Sequence, residues 1–591
     1  MMHRIFDGQQ SVHSAMGFRR KAMAVLVTVV FLSGGVAKAT PVFSWSTVVN
    51  NADSVPGAPG NNFFSYNQPS IDNAGLVVFR ARAKASTGGG GGGGAGQPVR
   101  GIFTRDMSTT GNPIVPLAIS NTTQVPAPNN LGSAFTEFPA FPRIDATSNA
   151  IAFRGQSQPV YQYTTGYDAT GAPITTKVGT SGVYVTQNGT AAGLVTGASQ
   201  LGAVPTLSQF QVPTAPDVPS GTKFDQFPGA PSPTGNLVAF KGNFTSPTTG
   251  GQTGIYYRDV SNPNASVIEV ARSGMIMPAN AVLGSGSAIF GSTAPPSAAN
   301  GKVVFTGLDN EAAPTAGGIF AANLDGTSHP ALTTVAGFNT VVPSHKNDSI
   351  PPTLSAFGEG LSFDGRYVGF WGAWDTTDTY SQNLICPTDD NGGIISQCTN
   401  TTVQIPVHQG LFLADLSTNG LYMIAETGSL YKNFQFWSFS GAPSGSGDTG
   451  QEPARWRSSS FLAISGDNAI FKAVHTGPNG SDGATGLYGG FGVTDPSYIL
   501  NDSTFTLLET GMDGGLIDPS LQGKGFQISS LGIERDGFRN GQIAINAGMT
   551  NSLTAATWGG IYVAQVPEPG TLALLGLGLA GLVGWCRKER A

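Results

Sequence analysis

The chain has 591 residues, of which 82 are glycine and only 11% are charged, whereas globular proteins average about 7% glycine and about 25% charged residues. The net charge is −6 and the body has no Lys/Arg cluster, which argues against nucleic acid as a partner. Short apolar runs separated by Gly, Pro, Asn, Thr and Ser predict an all-β fold with many short strands.

The N-terminus has the pattern of a secretory signal. A basic segment, Arg19 to Lys21, precedes an apolar run over residues 22–36, and Ala37-Lys38-Ala39 supplies the small residues that signal peptidase requires. The run is too short for a stable membrane span. Residues 1–39 are therefore predicted to be a signal peptide that is removed during export.

A Gly-apolar-aromatic triplet recurs through the body at intervals of 64 to 92 residues. A second apolar run precedes each triplet and a third follows most of them, so each unit offers at least three strands. The seven triplets begin at Gly101, Gly182, Gly254, Gly318, Gly410, Gly486 and Gly560.

Seven units that cannot bury their faces alone are typical of a β-propeller, in which each sheet packs between two neighbours. We therefore predict a seven-bladed propeller over residues 40–565. A chain of β-sandwiches is the alternative, because about 75 residues per unit approach one small sandwich.

The last triplet lacks the third run, and the N-terminal segment offers a replacement. Residues 47–56 have the same length as the third runs at 269–278 and 334–343. An unpaired edge on the last blade would expose free backbone groups. Residues 42–49 are therefore predicted to close the ring by pairing with Gly560 to Ala564.

Cys386 and Cys398 are the only cysteines of the body, and both lie in the long insertion between Phe370 and Gly410. In an exported protein this placement predicts a disulfide. Two cysteines without spaced partners do not form a zinc site, and the acidic segment 389–392 lacks the alternation of a calcium loop. No metal and no cofactor are predicted.

Two groups of aromatic residues could stack on sugar rings. One group is Phe370, Trp371 and Trp374, and the other is the segment 434–439 with Phe434, Phe436, Trp437 and Phe439. The alternation in the second group is also that of a buried strand, and core packing is the favoured interpretation of both.

The C-terminus combines Pro567-Glu568-Pro569, an apolar run from Thr571 to Trp585, and a basic tail with Arg587, Lys588 and Arg590. In this order, the segment 566–591 resembles the PEP-CTERM sorting signal of Gram-negative bacteria. The resemblance implies recognition by an exosortase, a short transmembrane helix with a cytoplasmic tail, and an anchor that is removed, leaving the protein at the cell surface or outside the cell. It also implies association with exopolysaccharide and biofilm matrix.

The body is also similar to the choice-of-anchor proteins with NxxGxxAF repeats. Asp72, Gly75 and Phe79 fit the motif with Asp for Asn, and Gly301 with Phe305 fits it without the Asn. This resemblance implies surface attachment and repeat structure but no activity.

Catalytic motifs do not appear: there is no Gly-x-Ser-x-Gly elbow and no phosphate loop, and the histidines are scattered. The favoured function is a non-catalytic envelope or matrix component that binds polysaccharide or protein. The alternative is an extracellular polysaccharide hydrolase or lyase with carboxylates from separate blades. Charged residues converging on the mouth of the central channel would favour the enzyme, and a mouth of Ser, Thr, Asn and Gly would favour binding.

Overall fold

The computed structural model describes residues 43–566, apart from 85–97, 110, 129–131, 158–160, 179–180, 279–280, 282–287, 388–397 and 441–453. Its described residues form strands, turns and short 3-10 helices, without an α-helix. The 3-10 helices are Ala191–Gly193, Gln200–Ala203, Pro205–Phe210, Pro343–His345, Pro478–Gly480, Gly514–Leu516 and Pro519–Leu521.

Seven main sheets, called blades 1 to 7, follow one another along the chain. The first strand is β1 (Ser44–Asn50), and blade 1 has β2 (Phe63–Tyr66), β3 (Ser70–Ile71), β4 (Leu76–Ala83), β5 (Arg100–Asp106) and β6 (Val115–Ile119). Blade 2 has β7 (Arg143–Ile144), β8 (Ile151–Gly155), the inserted hairpin β9 (Tyr161–Tyr167) and β10 (Pro173–Val178), then β11 (Gly182–Thr186) and β12 (Leu194–Ser199). Blade 3 has β13 (Ser232–Thr234), β14 (Leu237–Ser246), β15 (Gly250–Asp259) and β16 (Ile268–Arg272).

The remaining blades repeat this order. Blade 4 has β17 (Ser292–Thr293), β18 (Ser297–Ala299), β19 (Lys302–Leu308), β20 (Gly317–Asn323) and β21 (Thr333–Gly337). Blade 5 has β22 (Ala356–Phe357), β23 (Ser362–Phe363), β24 (Tyr367–Ala373), the inserted hairpin β25 (Thr379–Leu384) and β26 (Thr401–Pro406), then β27 (Gln409–Asp415) and β28 (Gly420–Glu426). Blade 6 has β29 (Tyr431–Asn433), the inserted hairpin β30 (Phe436–Ser440) and β31 (Arg455–Ser459), then β32 (Leu462–Ser465), β33 (Asn468–Thr476), β34 (Asp482–Gly490) and β35 (Thr504–Glu509). Blade 7 has β36 (Phe526–Gly532), β37 (Phe538–Arg539), β38 (Gln542–Asn551) and β39 (Thr557–Gln565).

The blades form a closed ring. Their innermost strands β3, β7, β13, β18, β23, β32 and β37 contact one another in this order, and β37 contacts β3. The core consists of apolar clusters between neighbouring blades, including one that joins blade 7 to blade 1. A chain of sandwiches would bury its core within each unit, so the propeller prediction is confirmed and the sandwich alternative is wrong.

The N-terminal strand closes the ring as predicted. β1 is the outermost strand of blade 7 and pairs antiparallel with β39, from Ser44 opposite Gln565 to Asn50 opposite Gly560. The strand starts three residues earlier than the run that begins at Thr47, and it ends before Val55, which lies in the following loop. The run at residues 47–56 therefore overlaps the closing strand β1, but the strand begins and ends earlier than the run.

The repeated triplet lies in the third strand of every blade, and packing explains its composition. Residues i and i+2 share one face of a strand, and in the triplets that begin at Gly101, Gly254, Gly410, Gly486 and Gly560 the aromatic ring lies beside its own glycine. A Cβ on Gly101 would lie 2.6 Å from the Phe103 ring, and one on Gly560 would lie 2.5 Å from the Tyr562 hydroxyl oxygen. Only glycine leaves room for the ring.

A buried ion cluster links blades 2, 4, 6 and 7 at the centre of the ring. Arg143 of blade 2 donates through Nε and Nη2 to the Asp536 carboxylate of blade 7, at 2.6 and 2.9 Å. Its Nη1 reaches Ser297 Oγ of blade 4 at 3.1 Å. Arg539 donates to Asp536 Oδ1 at 2.5 Å and to the Ile464 carbonyl of blade 6 at 2.8 Å. Because blades 2, 4 and 7 are not neighbours, the Arg143 side chain crosses the channel.

Several sequence predictions lie outside the described residues: the signal peptide with Ala37 and Ala39, the acidic segment 389–392, and the C-terminal segment from Pro567 onward. In the part that is described, no helix is long and apolar enough to cross a membrane.

Candidate functional site: a tryptophan-lined cleft

The two faces of the propeller differ in the length of the connections between strands. On the turn face, short turns join the first strand of each blade to the second. On the insertion face, the second strand leads to the third, and this connection carries the hairpins β9–β10 and β25–β26. The hairpin β30–β31 interrupts the first strand of blade 6 beside residues that pair with the insertion-face end of β33.

A cleft of about 310 Å³ lies on the insertion face, between blades 4, 5 and 6. Blade 5 contributes Phe357 and Trp371, and the β30–β31 hairpin contributes most of the opposite wall. The lining residues that carry rings or charges are Glu311, Phe357, Glu359, Trp371, Trp437, Arg455, Trp456 and Arg457.

Trp371 belongs to both the core and the cleft. It is buried, and its indole Nε1 donates to the Gln409 side chain at 3.1 Å. The same Gln409 donates to Asn433 at 3.0 Å and thereby connects blade 5 to the base of the hairpin. These hydrogen bonds fix the orientation of the Trp371 ring.

The hairpin wall rests on the disulfide-bearing insertion. Trp456 Nε1 donates to the Thr399 carbonyl at 3.0 Å, and the Phe439 ring packs edge-on against Trp456 with centroids 5.6 Å apart. Beside Thr399, Cys386 and Cys398 are joined by a disulfide with their Cα atoms 5.7 Å apart, within the usual range. The insertion therefore supports the cleft.

A lysine lies at the base of the hairpin between two aromatic rings. Lys472 Nζ is 4.3 Å from the Phe436 centroid and 5.1 Å from the Phe461 centroid. Burial lowers the pKa of Lys472 to about 8. The cation–π contacts attach the β30 strand to the second strand of blade 6.

The cleft has polar groups that nothing in the described protein satisfies. The Trp437 indole N–H and the Ser460 hydroxyl are buried and lack a hydrogen-bond partner among the described residues. A buried donor without a partner costs about 1–3 kcal/mol.

The lining of the cleft is mixed in charge. Glu311, Glu359 and Arg455 are exposed at its rim. At the centre of the ring, by contrast, Arg143, Asp536 and Arg539 pair with one another and are buried. The expectation of a charged or an uncharged mouth concerned the central channel, whereas the cleft lies between blades 4, 5 and 6 and combines acids, bases and aromatic rings.

The predicted aromatic groups divide between core and cleft. Phe370, Trp374 and Phe434 are buried in the core, as favoured, whereas Trp371 and Trp437 line the cleft. Sequence reasoning missed Trp456. The available sequence signal was the alternation Arg455-Trp456-Arg457 after a glycine-rich stretch, which is typical of an exposed strand.

Groups of acidic, His and Cys residues that could hold a metal do not occur in the described ranges. The described residues form a closed β-propeller with a cleft on one face. A family model, the PEP-CTERM protein-sorting motif, matches residues 565–588. The chain therefore carries a PEP-CTERM sorting motif at residues 565–588, which implies export and a membrane-anchored or surface-exposed location in a Gram-negative bacterium.

Comparison with solved structures gives matches of low identity and low TM-score. An oligogalacturonate lyase in complex with manganese is 8% identical, with 86% of this chain and 98% of that chain covered and a TM-score of 0.36. An α-L-arabinofuranosidase from Podospora anserina, in complex with cellotriose, is 9% identical over 63% and 96% of the two chains, with a TM-score of 0.20. The β-propeller domain of the Trilobed protease from Pyrococcus furiosus is 10% identical over 59% and 97%, with a TM-score of 0.16. At these scores the similarities carry no argument, and no curated protein matches the chain.

Proposed function

We propose that this PEP-CTERM protein is a non-catalytic surface or matrix component whose propeller binds extracellular polysaccharide in the tryptophan-lined cleft. The observation that carries the proposal is the convergence of Trp371, Trp437 and Trp456 in one cleft with the unpartnered Trp437 N–H. Sugar rings present apolar faces that pack on aromatic rings and hydroxyls that accept hydrogen bonds.

The sorting part of the proposal concerns Pro567, Glu568 and Pro569. An exosortase recognises this motif and processes the chain near it, so that the anchor, with its tail of Arg587, Lys588 and Arg590, is transient. Replacing the three motif residues with alanine leaves the protein in the membrane fraction, whereas unchanged release would contradict the role of the motif.

A glycan array followed by titration tests the binding part. Trp437→Ala should weaken binding of the selected glycan about tenfold or more, since a central aromatic contact is commonly worth 2 kcal/mol or more. Tyr167→Ala is the matched control, because Tyr167 is an exposed aromatic residue on a different hairpin of the same face. Equal affinities for the wild type and Trp437→Ala would contradict the assignment of the cleft.

The alternative is a polysaccharide hydrolase or lyase, and one observation favours it: Glu311 and Glu359 line the same cleft. Paired carboxylates are the usual catalytic groups of glycoside hydrolysis. Turnover of an array-selected glycan that is abolished by Glu359→Gln or Glu311→Gln, with binding retained, would establish the enzyme in place of the binding module.

A further inference from the structure

The course of the last strand determines where the anchor leaves the propeller. β39 runs from the insertion face at Thr557 to the turn face at Gln565, where Gln565 pairs with Gln542, the first residue of β38. The next residue, Val566, still donates its backbone N–H to the Gly541 carbonyl in the turn, at 2.7 Å. The chain is therefore held in the turn face up to the residue before the sorting motif.

The N-terminal strand begins at the same place. Ser44, the first residue of β1, lies opposite Gln565 in the register of β1 with β39. Gln565 is thus paired on both sides, by β38 and by β1. Hydrogen bonds to two neighbouring strands prevent the end of β39 from peeling away to lengthen the connection.

From these observations we infer that the anchored protein stands with its turn face toward the membrane and presents the tryptophan cleft outward. The inference rests on the C-terminal anchor of the proposed function and adds an orientation to it. It also places the exosortase site directly against the turn face.

The lengths involved exclude the opposite orientation. Four residues, Pro567 to Gly570, separate Val566 from the apolar run that starts at Thr571, and fully extended they span at most about 14 Å. β39 has 9 residues, so the distance from the turn face to the insertion face along it is about 30 Å. The connection is too short to follow the blade to its other face.

Fluorescence quenching tests the orientation on the full chain, purified from cells without the exosortase and reconstituted in phosphatidylethanolamine–phosphatidylglycerol vesicles that contain a headgroup-labelled quencher lipid. In a Cys586→Ser background, a dye is attached at Asn236→Cys on the turn face or at Glu311→Cys at the cleft; both residues are exposed. Strong quenching at position 236 and its loss at position 311 are expected.

A variant with about thirty Gly-Ser residues inserted after Val566 is the control for the length argument, because the r.m.s. end-to-end distance of a flexible connection, about 5–6 Å times the square root of its residue number, then reaches about 30 Å, the height of the blade. Its two dyes should be quenched alike. Equal or reversed quenching in the chain without the insertion would overturn the orientation while leaving the anchor intact. Failure of the protein to float with the vesicles would overturn the anchor and, with it, the orientation.

Discussion

The ion cluster in the channel leads to a specific prediction for Asp536→Asn. The Asp536 carboxylate accepts from Arg143 Nε and Nη2 and from Arg539 Nη2, and the side chains of all three residues are at most 5% exposed. An asparagine keeps one acceptor oxygen and turns an NH2 group toward an arginine donor. Two buried guanidinium groups then lose their counter-charge, which typically costs about 3–5 kcal/mol.

Urea unfolding followed by near-ultraviolet circular dichroism measures this cost as a lower midpoint with an unchanged slope. Asp225→Asn is the matched control, since Asp225 pairs with Lys223 at 2.8 Å while both side chains are 35% exposed. An exposed pair of this kind contributes about 0–1 kcal/mol. Equal effects of the two substitutions would refute the idea that the cluster holds the ring together.

The effect of Asp536→Asn should also depend on pH. Burial by itself would raise the pKa of Asp536, but the charges of Arg143 and Arg539 outweigh burial and hold the pKa below its usual value. The stability that this carboxylate contributes is present above the pKa of an unfolded aspartate, about 3.9, and is lost as pH falls through the folded pKa. The difference between wild type and variant is therefore full at neutral pH and disappears in acid.

Three further predictions concern the repeat, a buried acid and the disulfide. Gly560→Ala should lower the free energy of unfolding by about 1–3 kcal/mol, whereas Gly559→Ala should not, because its added Cβ would only reach van der Waals contact at 3.4 Å; similar urea midpoints would contradict this. Burial raises the pKa of Glu269 from 4.5 to about 7, so its neutral form is favoured in the folded state and its contribution falls as pH rises through that range. Glu269→Gln should then gain stability relative to wild type between pH 5 and pH 8, and a pH-independent difference would show the reasoning to be wrong. Mass spectrometry of the unreduced protein should recover the peptides of Cys386 and Cys398 joined, and free thiols would exclude the bond.

The fold could be predicted from the sequence where the same packing requirement recurs in every blade. The triplets predicted seven blades because they recur seven times, each with flanking apolar runs, and the missing third run after Gly560 predicted the role of β1. The boundary of β1 was shifted because Val55-Pro56 follows the strand instead of ending it. The resemblance of the body to choice-of-anchor proteins stays a prediction.

The cleft could not be predicted in the same way. Its walls come from blades 4, 5 and 6, and Trp371 and Trp456 meet there only because the hairpin β30–β31 folds back over blade 5. Residues that are far apart along the chain do not recur at a regular spacing, so no sequence pattern indicates that they meet. The ion cluster was missed for the same reason, since Arg143 and Asp536 are 393 positions apart.

The bulges of the fourth strands show how the ring is completed. In each of blades 1 to 6, the fourth strand skips one residue opposite the triplet aromatic, and β1 does the same at Val48, between Thr47 and Val49. β1, near the N-terminus, therefore has the same bulge as the fourth strands of the other blades and takes the place of a fourth strand beside β39. A chain that ends before β39 leaves β1 and β38 without the strand that joins them, so blade 7 keeps an open edge and the ring is not closed.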